Sequence, residues 1–375
     1  AAGAESLDIE QGFSLTERFD YDRVVANLDT REKAKAKGRF NTESQSTVMS
    51  SDKTTVMGKA QKSTDNDTLR IQVQSTGIHG LTTQELVDAF KSDTDQISSM
   101  LRRGEFRLNS RGQDIPWYVN DGVLYFYGEG SDNQFSATRT YWLYMKQNGI
   151  AMSVAEVDEA EQSAAAFYDN RNHEVDALFW LSLSTDPESD YWFWTSIAAF
   201  DGYRTKTFSL PVPGAQASGA ELTIRLHGAS NAEHLLRVNG ADGVEIDSVT
   251  FTGDMAYQNL VPLTVPAELL TGGTLELEIT AENSPSGGYS AVLIDGFDVA
   301  WQRAYSADNG VLNYTADGAT SVTGLGSGQV VTMNVTEPVA PVWITGGGVS
   351  PTEDGFTYSA ILDLGEYVSA DALSL

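Results

Sequence analysis

The chain of 375 residues sets 24 Lys and Arg against 52 Asp and Glu, a formal net charge of −28. That balance argues against nucleic acid or an anionic membrane surface as partner, because phosphate contacts need clustered basic side chains. With 41% hydrophobic and 20% charged residues the composition is globular, long enough for two or three domains with cores of their own. No apolar run approaches the roughly 18 residues of a membrane span.

The sequence contains no cysteine, which excludes a disulfide framework, a thiolate metal site and a cysteine nucleophile within these residues. A thiol-free acidic chain suits an oxidising compartment and predicts a secreted or cell-surface bacterial protein. The opening Ala1-Ala2-Gly3-Ala4-Glu5 reads as a mature end left by a processing enzyme.

Residues 1–65 form an expected extended arm. They are poor in aromatics and rich in Ser, Thr, Lys and Asp, and Phe13-Ser14-Leu15 and Val24-Val25-Ala26 are its main runs able to pair as edge strands. A small α+β domain is predicted over 66–205. Leu69, Ile71 and Val73 alternate as a strand, with a turn expected near Gly77 and a second glycine at Gly80. Thr82 with Glu85 makes a capping box and Leu81 with Leu86 a hydrophobic staple; Ile97, Met100 and Leu101 keep helical spacing until Gly104 stops it. Ile115, Trp117 and Val119, then Asn120-Asp121-Gly122, then Val123 to Tyr127 read as a β-hairpin.

A jelly-roll-like β-sandwich is predicted over 206–305, from Leu222, Ile224 and Leu226; Leu236 and Val238 before Asn239-Gly240; Leu275, Leu277 and Ile279; and Ala291, Leu293, Phe297, Val299 and Trp301. Short strands between glycines predict a further β module over 306–375, the start of a domain expected to continue past Leu375. The fold class is therefore mainly β.

The ordered runs resemble the N-terminal, non-catalytic region of gingipain-like cysteine peptidases, a front end shared with the type IX secretion sortase. The matching residues are Leu69–Val73 with Gly77-Ile78-His79-Gly80-Leu81, Gly112–Pro116, Leu124-Tyr125-Phe126-Tyr127-Gly128, and Tyr141-Trp142-Leu143. His173-Glu174, Asp190-Tyr191-Trp192-Phe193-Trp194, Leu226-His227-Gly228, His234, Val238-Asn239-Gly240, Leu269-Leu270 with Gly272, Asp295-Gly296-Phe297 and Val335-Thr336-Glu337-Pro338 follow, the last with Glu where the family has Asp. Together they span about residues 69–345. The resemblance implies a pro-, accessory or scaffold region that supports or restrains a downstream catalytic domain whose His-Gly and Cys dyad is absent here. The chain as it stands is therefore expected not to be an enzyme.

Individual residues sharpen that expectation. His227-Gly228 ends an alternating strand and has no nucleophile to pair with. His173 and Glu174 point to opposite faces of a strand, a poor start for a metal site. Trp192 and Trp194 are expected to bury on one face and plug an interdomain seam, the alternative being a sugar-stacking platform. Asp242, Glu245 and Asp247 around Gly243, and the Asp308-Asn309-Gly310 turn, are the loops from which Ca2+ could be held, with no ligand set assigned. Asn66, Asn313 and Asn334 begin glycosylation sequons. No Gly-x-Ser-x-Gly elbow is present, so no catalytic, cofactor-binding or metal residue is assigned. Two other functions fit the composition: a surface or filament subunit assembling with neighbouring copies through its arm, and a carbohydrate-binding or adhesin-type sandwich.

Overall fold

The computed structural model describes residues 67–131, 136, 138–161, 163–164, 166–180, 191–240, 243–258 and 262–372; the arm expected over 1–65 lies outside them. The described residues are mainly antiparallel β, with two α-helices near the front.

The front part follows its local signals closely. Helix α1 (Thr83–Phe90) opens on the capping box: the Thr82 hydroxyl accepts from the Glu85 N–H at 3.2 Å, and the Glu85 carboxylate accepts from the Thr82 N–H at 2.7 Å. The staple residues Leu81 and Leu86 are both buried in one cluster. Lys91 turns left-handed at the end of α1, Asp93 caps helix α2 (Thr94–Arg103) through Gln96, and Gly104 closes it at φ 71°. In the aromatic hairpin Asn120 lies opposite Val123, so Asp121-Gly122 forms a two-residue loop with φ of 48° and 78°. Two successive positive values are the signature of a type I′ turn, whose twist matches the strands it joins.

The turn expected near Gly77 falls at Ser75 and Thr76, and Gly77 itself opens the next strand. Gly77–Thr82 pairs along the whole of Val123–Gly128, and a Cβ on Gly80 would sit 3.1 Å from Val123 Cγ1 and 3.2 Å from the Tyr125 ring. The glycine marks close packing beneath aromatic neighbours rather than a bend. This three-stranded sheet and a second one (Thr68–Val73, Arg139–Met145, Phe106–Ser110, Gln113–Asp114) share one core with the helices, built on Leu86, Ile97, Phe106, Phe126, Tyr141 and Leu143.

The sandwich packs two sheets face to face. One runs Thr195–Ala198, Ala291–Ala304, Ala215–Gly228, Ala256–Gln258; the other runs Thr205–Pro211, Thr274–Glu282, Glu233–Gly240, Glu245–Thr252. Leu222, Ile224 and Leu226 meet Leu236, Val238, Leu275, Leu277 and Ile279 in the shared core, each contributing about 1.5–3 kcal/mol by burial. The Ala291–Ala304 strand departs from simple alternation. Its register against Ala215–Gly228 slips at Asp295, so Val292 and Ile294 before the bulge face the same core as Phe297, Val299 and Trp301 after it. A bulge inverts the parity of every residue beyond it.

The last sheet orders Val311–Leu325, Gly355–Asp371, Val330–Asn334, Val342–Gly346 and Ser153–Val157. Ser153–Val157 joins in parallel with Val342–Gly346, and Thr345 Oγ1 donates to the Ala155 carbonyl across 190 residues of chain. Ala166–Glu174 joins the sandwich instead, alongside Ala291–Ala304.

Trp343 occupies the seam between this sheet and the aromatic hairpin. Its ring stacks on Tyr118 at 4.6 Å and meets Tyr125 at 5.3 Å, in a cluster with Met152, Val331 and Met333. The expectation that Trp192 and Trp194 fill an interdomain seam is therefore corrected. Trp194 packs edge-on against Phe208 and Phe297 of the sandwich core, Phe193 is the buried member of the run, and Trp192 lies on Phe179. The chain is extended over Trp192–Phe193 only, and the next strand starts at Thr195, so one alternating face never forms.

Candidate cleft at the junction of three sheets

A cavity of about 380 Å³ opens where the front hairpin, the sandwich edge and the C-terminal sheet meet, a volume within the range of small-ligand sites. Tyr127 comes from the hairpin, Phe167 to Asn170 from the sandwich edge strand, and Asn313 to Thr315 with Glu366 and Tyr367 from the C-terminal sheet. Alternation dictates which side chains reach it. In Ala166–Glu174, Phe167 is buried while Tyr168 is exposed at the rim, its O–H donating to Glu221 at 2.9 Å.

The ring walls are structural. Tyr314 Oη and Ser369 Oγ lie 2.9 Å apart, Ser369 Oγ and Thr332 Oγ1 2.8 Å, and burial pushes the Tyr314 phenol well above its ordinary range. Asp169 is held by Arg303 Nη1 at 2.8 Å and by Arg171 Nε at 3.5 Å. Arg171 and Arg303 also lie over the Trp301 and Phe167 rings at 5.7 and 5.8 Å. Glu366 is exposed on its strand. The lining presents aromatic walls, carboxylates, amides and hydroxyls, groups that can orient a bound ligand by stacking and hydrogen bonding.

The histidines singled out in the sequence are dispersed through the fold. His227 sits at the end of Ala215–Gly228 with its ring edge-on to Phe193 at 6.0 Å, and a Cβ on Gly228 would meet the Gly253 carbonyl at 2.0 Å. His173 lies opposite Phe297 in register, while Glu174 reaches Arg225 Nη2 at 2.9 Å. His79 stacks on Phe126, and its Nε2–H donates to the Ser75 carbonyl at 3.0 Å.

Burial is the largest influence on His79, His173 and His227, and it holds all three below the ordinary imidazole value; a carbonyl at His79 and carboxylates at the other two oppose it only in part. The unfolded chain therefore takes up these protons first as pH falls. Stability should be full above about pH 6.5 and decline as pH drops through that value towards the folded-state ones. Urea midpoints between pH 7.5 and 5.5 check this, and His79→Gln should flatten the decline.

His234 is the fully buried histidine. Its Nε2 faces the Ser230 and Gly253 carbonyls at 3.1 and 3.2 Å, which makes Nε2–H the donor and leaves Nδ1 to accept from Ser290 Oγ at 2.9 Å. One ring thereby ties three loops together.

The acidic loops do not gather. Asp242 lies outside the described residues, Glu245 and Asp247 are exposed along one strand, and Asp308 brackets a two-residue hairpin turn in which Asn309 and Gly310 take φ of 51° and 77°. Among the described residues no group of three His, Asp or Glu side chains is placed to hold a metal, and no described helix is long and apolar enough to cross a membrane. Of the sequons, Asn66 lies outside the described residues, Asn313 lines the cleft, and Asn334 Oδ1 accepts from the Thr336 N–H at 3.0 Å.

Sequence reasoning missed the Arg225 cluster. Its Nε reaches Asp295 at 3.1 Å, Nη1 reaches Asp298 at 2.7 Å and Nη2 reaches Glu174. Gly296 admits the guanidinium, since a Cβ there would lie 2.2 Å from Nη2. The available signal was the bulge residue Asp295 breaking the apolar run, opposite the one arginine of Leu222 to Leu226.

No family model matches this sequence, and neither does any curated protein. Among solved structures the chain is similar to dimeric latent PorU from Porphyromonas gingivalis, with a TM-score of 0.60 at 14% identity over 83% of this chain and 32% of that one. It spans about a third of that protein's length. The likenesses to the calcium- and xylotriose-bound carbohydrate-binding module CBM36 (TM-score 0.22, 15% identity, 38% of this chain and 96% of that one) and to an Arthrobacter globiformis isomalto-dextranase (0.24, 11%, 62% and 34%) are much weaker. What the chain shares with PorU is a mainly β architecture held over most of its length.

Proposed function

We propose that these residues are the non-catalytic front of an exported gingipain-like cysteine peptidase, a scaffold that supports or restrains a downstream catalytic domain. The observation that carries this reading is the fold likeness to PorU across 83% of the chain, matched to only 32% of a longer protein, in a sequence without a cysteine. The ordered runs from Leu69 to Glu337 support it from the sequence side. In this reading the parent polypeptide is the peptidase and acts at the cell surface or beyond it. The cleft lined by Tyr168, Asn313 and Glu366 receives a segment of the following domain.

Sequencing the gene past Leu375 tests the link. A following α/β domain with a His-Gly and a cysteine is the expected result, and a reading frame without one overturns the proposal. If the domain is found, Asn313→Trp, which fills the cleft from its exposed rim, should weaken its association with the separately produced front region.

A further inference from the structure

Four connections of the sandwich cross from one sheet to the other at the same end: 199–204, 229–232, 253–255 and 283–290. Backbone hydrogen bonds lash them together, from Ala199 N to Ser290 O at 3.0 Å, Ala229 N to Ala291 O at 2.8 Å and Gly253 N to Ala232 O at 2.8 Å. His234 fastens three of them from beneath through Ser290, Ser230 and Gly253. Ser230 Oγ adds a bond to the Tyr289 carbonyl at 2.7 Å, and the Tyr203 carbonyl accepts from Ala198 N at 3.0 Å.

This rigid end carries three aromatic rings in a row. Phe200 lies 4.8 Å from Tyr203 and 6.0 Å from Tyr289, the latter pair stacked at 26°. The outer two are open to solvent, Tyr203 at 42% and Tyr289 at 53% exposure. Folding gains little from rings left in water, and the loops beneath them are too well tied for the exposure to be slack. Hydrogen-bonding groups flank the row. Arg204 donates to the Ala281 and Ala199 carbonyls and to Asn283 Oδ1 at 3.2 Å, which fixes the exposed Asn283 with its amide N–H groups directed away from that bond. Asp201 stands exposed between Phe200 and Tyr203 in the same loop.

We propose that this end of the sandwich binds a neutral saccharide, with pyranose C–H faces stacked on Tyr203 and Tyr289 and hydroxyls paired to Asn283 and Asp201. Exposed ring faces beside a fixed amide and a carboxylate match the alternating apolar faces and hydroxyl edges of a sugar. A neutral rather than acidic sugar follows from the net charge of −28 and from Asp201 beside the rings, both of which repel anions. This site is separate from the cleft and does not depend on a downstream peptidase domain.

Affinity electrophoresis of the whole chain through gels cast with hydroxyethylcellulose, xylan, dextran or galactomannan tests it. Retardation by at least one polymer is expected, weakened about tenfold or more in Tyr203→Ala/Tyr289→Ala and kept in Tyr203→Phe/Tyr289→Phe, with unfolding midpoints unchanged. Migration unaffected by all four polymers overturns the proposal, as does retardation that survives the double alanine change. So does a dimer in sedimentation that the double change dissolves, since the rings would then serve self-association.

Discussion

Replacing Arg225 with methionine is expected to destabilise the protein by about 1–3 kcal/mol at neutral pH, because it leaves three partly exposed carboxylates without their shared cation. The arginine side chain is only 18% exposed, and its three nitrogens each hold a different acid, Asp295, Asp298 and Glu174. Asp298 also accepts from Asn172 Nδ2 at 3.0 Å, which holds that carboxylate in place. Without the guanidinium the carboxylates repel one another, and added salt should screen part of that repulsion. Urea unfolding of both proteins at pH 7 in low and in high salt measures the effect. Arg225→Lys should recover part of the loss, as a point charge cannot meet three acceptors at once. A difference below about 1 kcal/mol would show the cluster to be an ordinary surface network.

Trp343→Ala should cost about 3–5 kcal/mol, with a different signature. The ring is 4% exposed and is shared between the aromatic hairpin and the C-terminal sheet through Tyr118 and Tyr125. Its removal opens a void in the cluster through which those two layers adhere. Unfolding that is cooperative in the parent should separate into two steps, the C-terminal sheet melting first, as followed by near-ultraviolet circular dichroism. A single transition shifted by less than about 1 kcal/mol would mean that Met152, Val331 and Met333 close the gap by themselves.

Much of the architecture was legible in short stretches of sequence. The Thr82–Glu85 capping box, the Asp121-Gly122 turn and the alternating apolar residues of the sandwich all encode structure over a few neighbours, where the physics is local. What escaped was set by partners far along the chain. Periodicity cannot tell that Ser153–Val157 pairs with Val342–Gly346, because a strand's pattern does not name its neighbour. Nor does a run of Trp192, Phe193 and Trp194 reveal that the chain bends inside it, so the seam was assigned to the wrong tryptophans. The Asp295 bulge hid in the same way: it reads as a lapse in alternation until the opposite strand supplies Arg225. The cleft has no sequence signal of its own, since its walls come from three separate sheets.

The parallel pairing of Ser153–Val157 with Val342–Gly346 also sets a timetable. A nascent or translocating polypeptide must deliver residue 346 before that sheet can close, and until then the earlier strand waits without its partner. The interval is less of a handicap than 190 residues suggest. Ala166 and Ala304 lie directly opposite each other once the intervening sandwich has formed. Prior collapse of the insert thus leaves only the segments 157–166 and 304–342 to close, and each halving of loop length saves about 0.6 kcal/mol of closure entropy. Assembly should therefore run from the middle outwards, with the final sheet locking last.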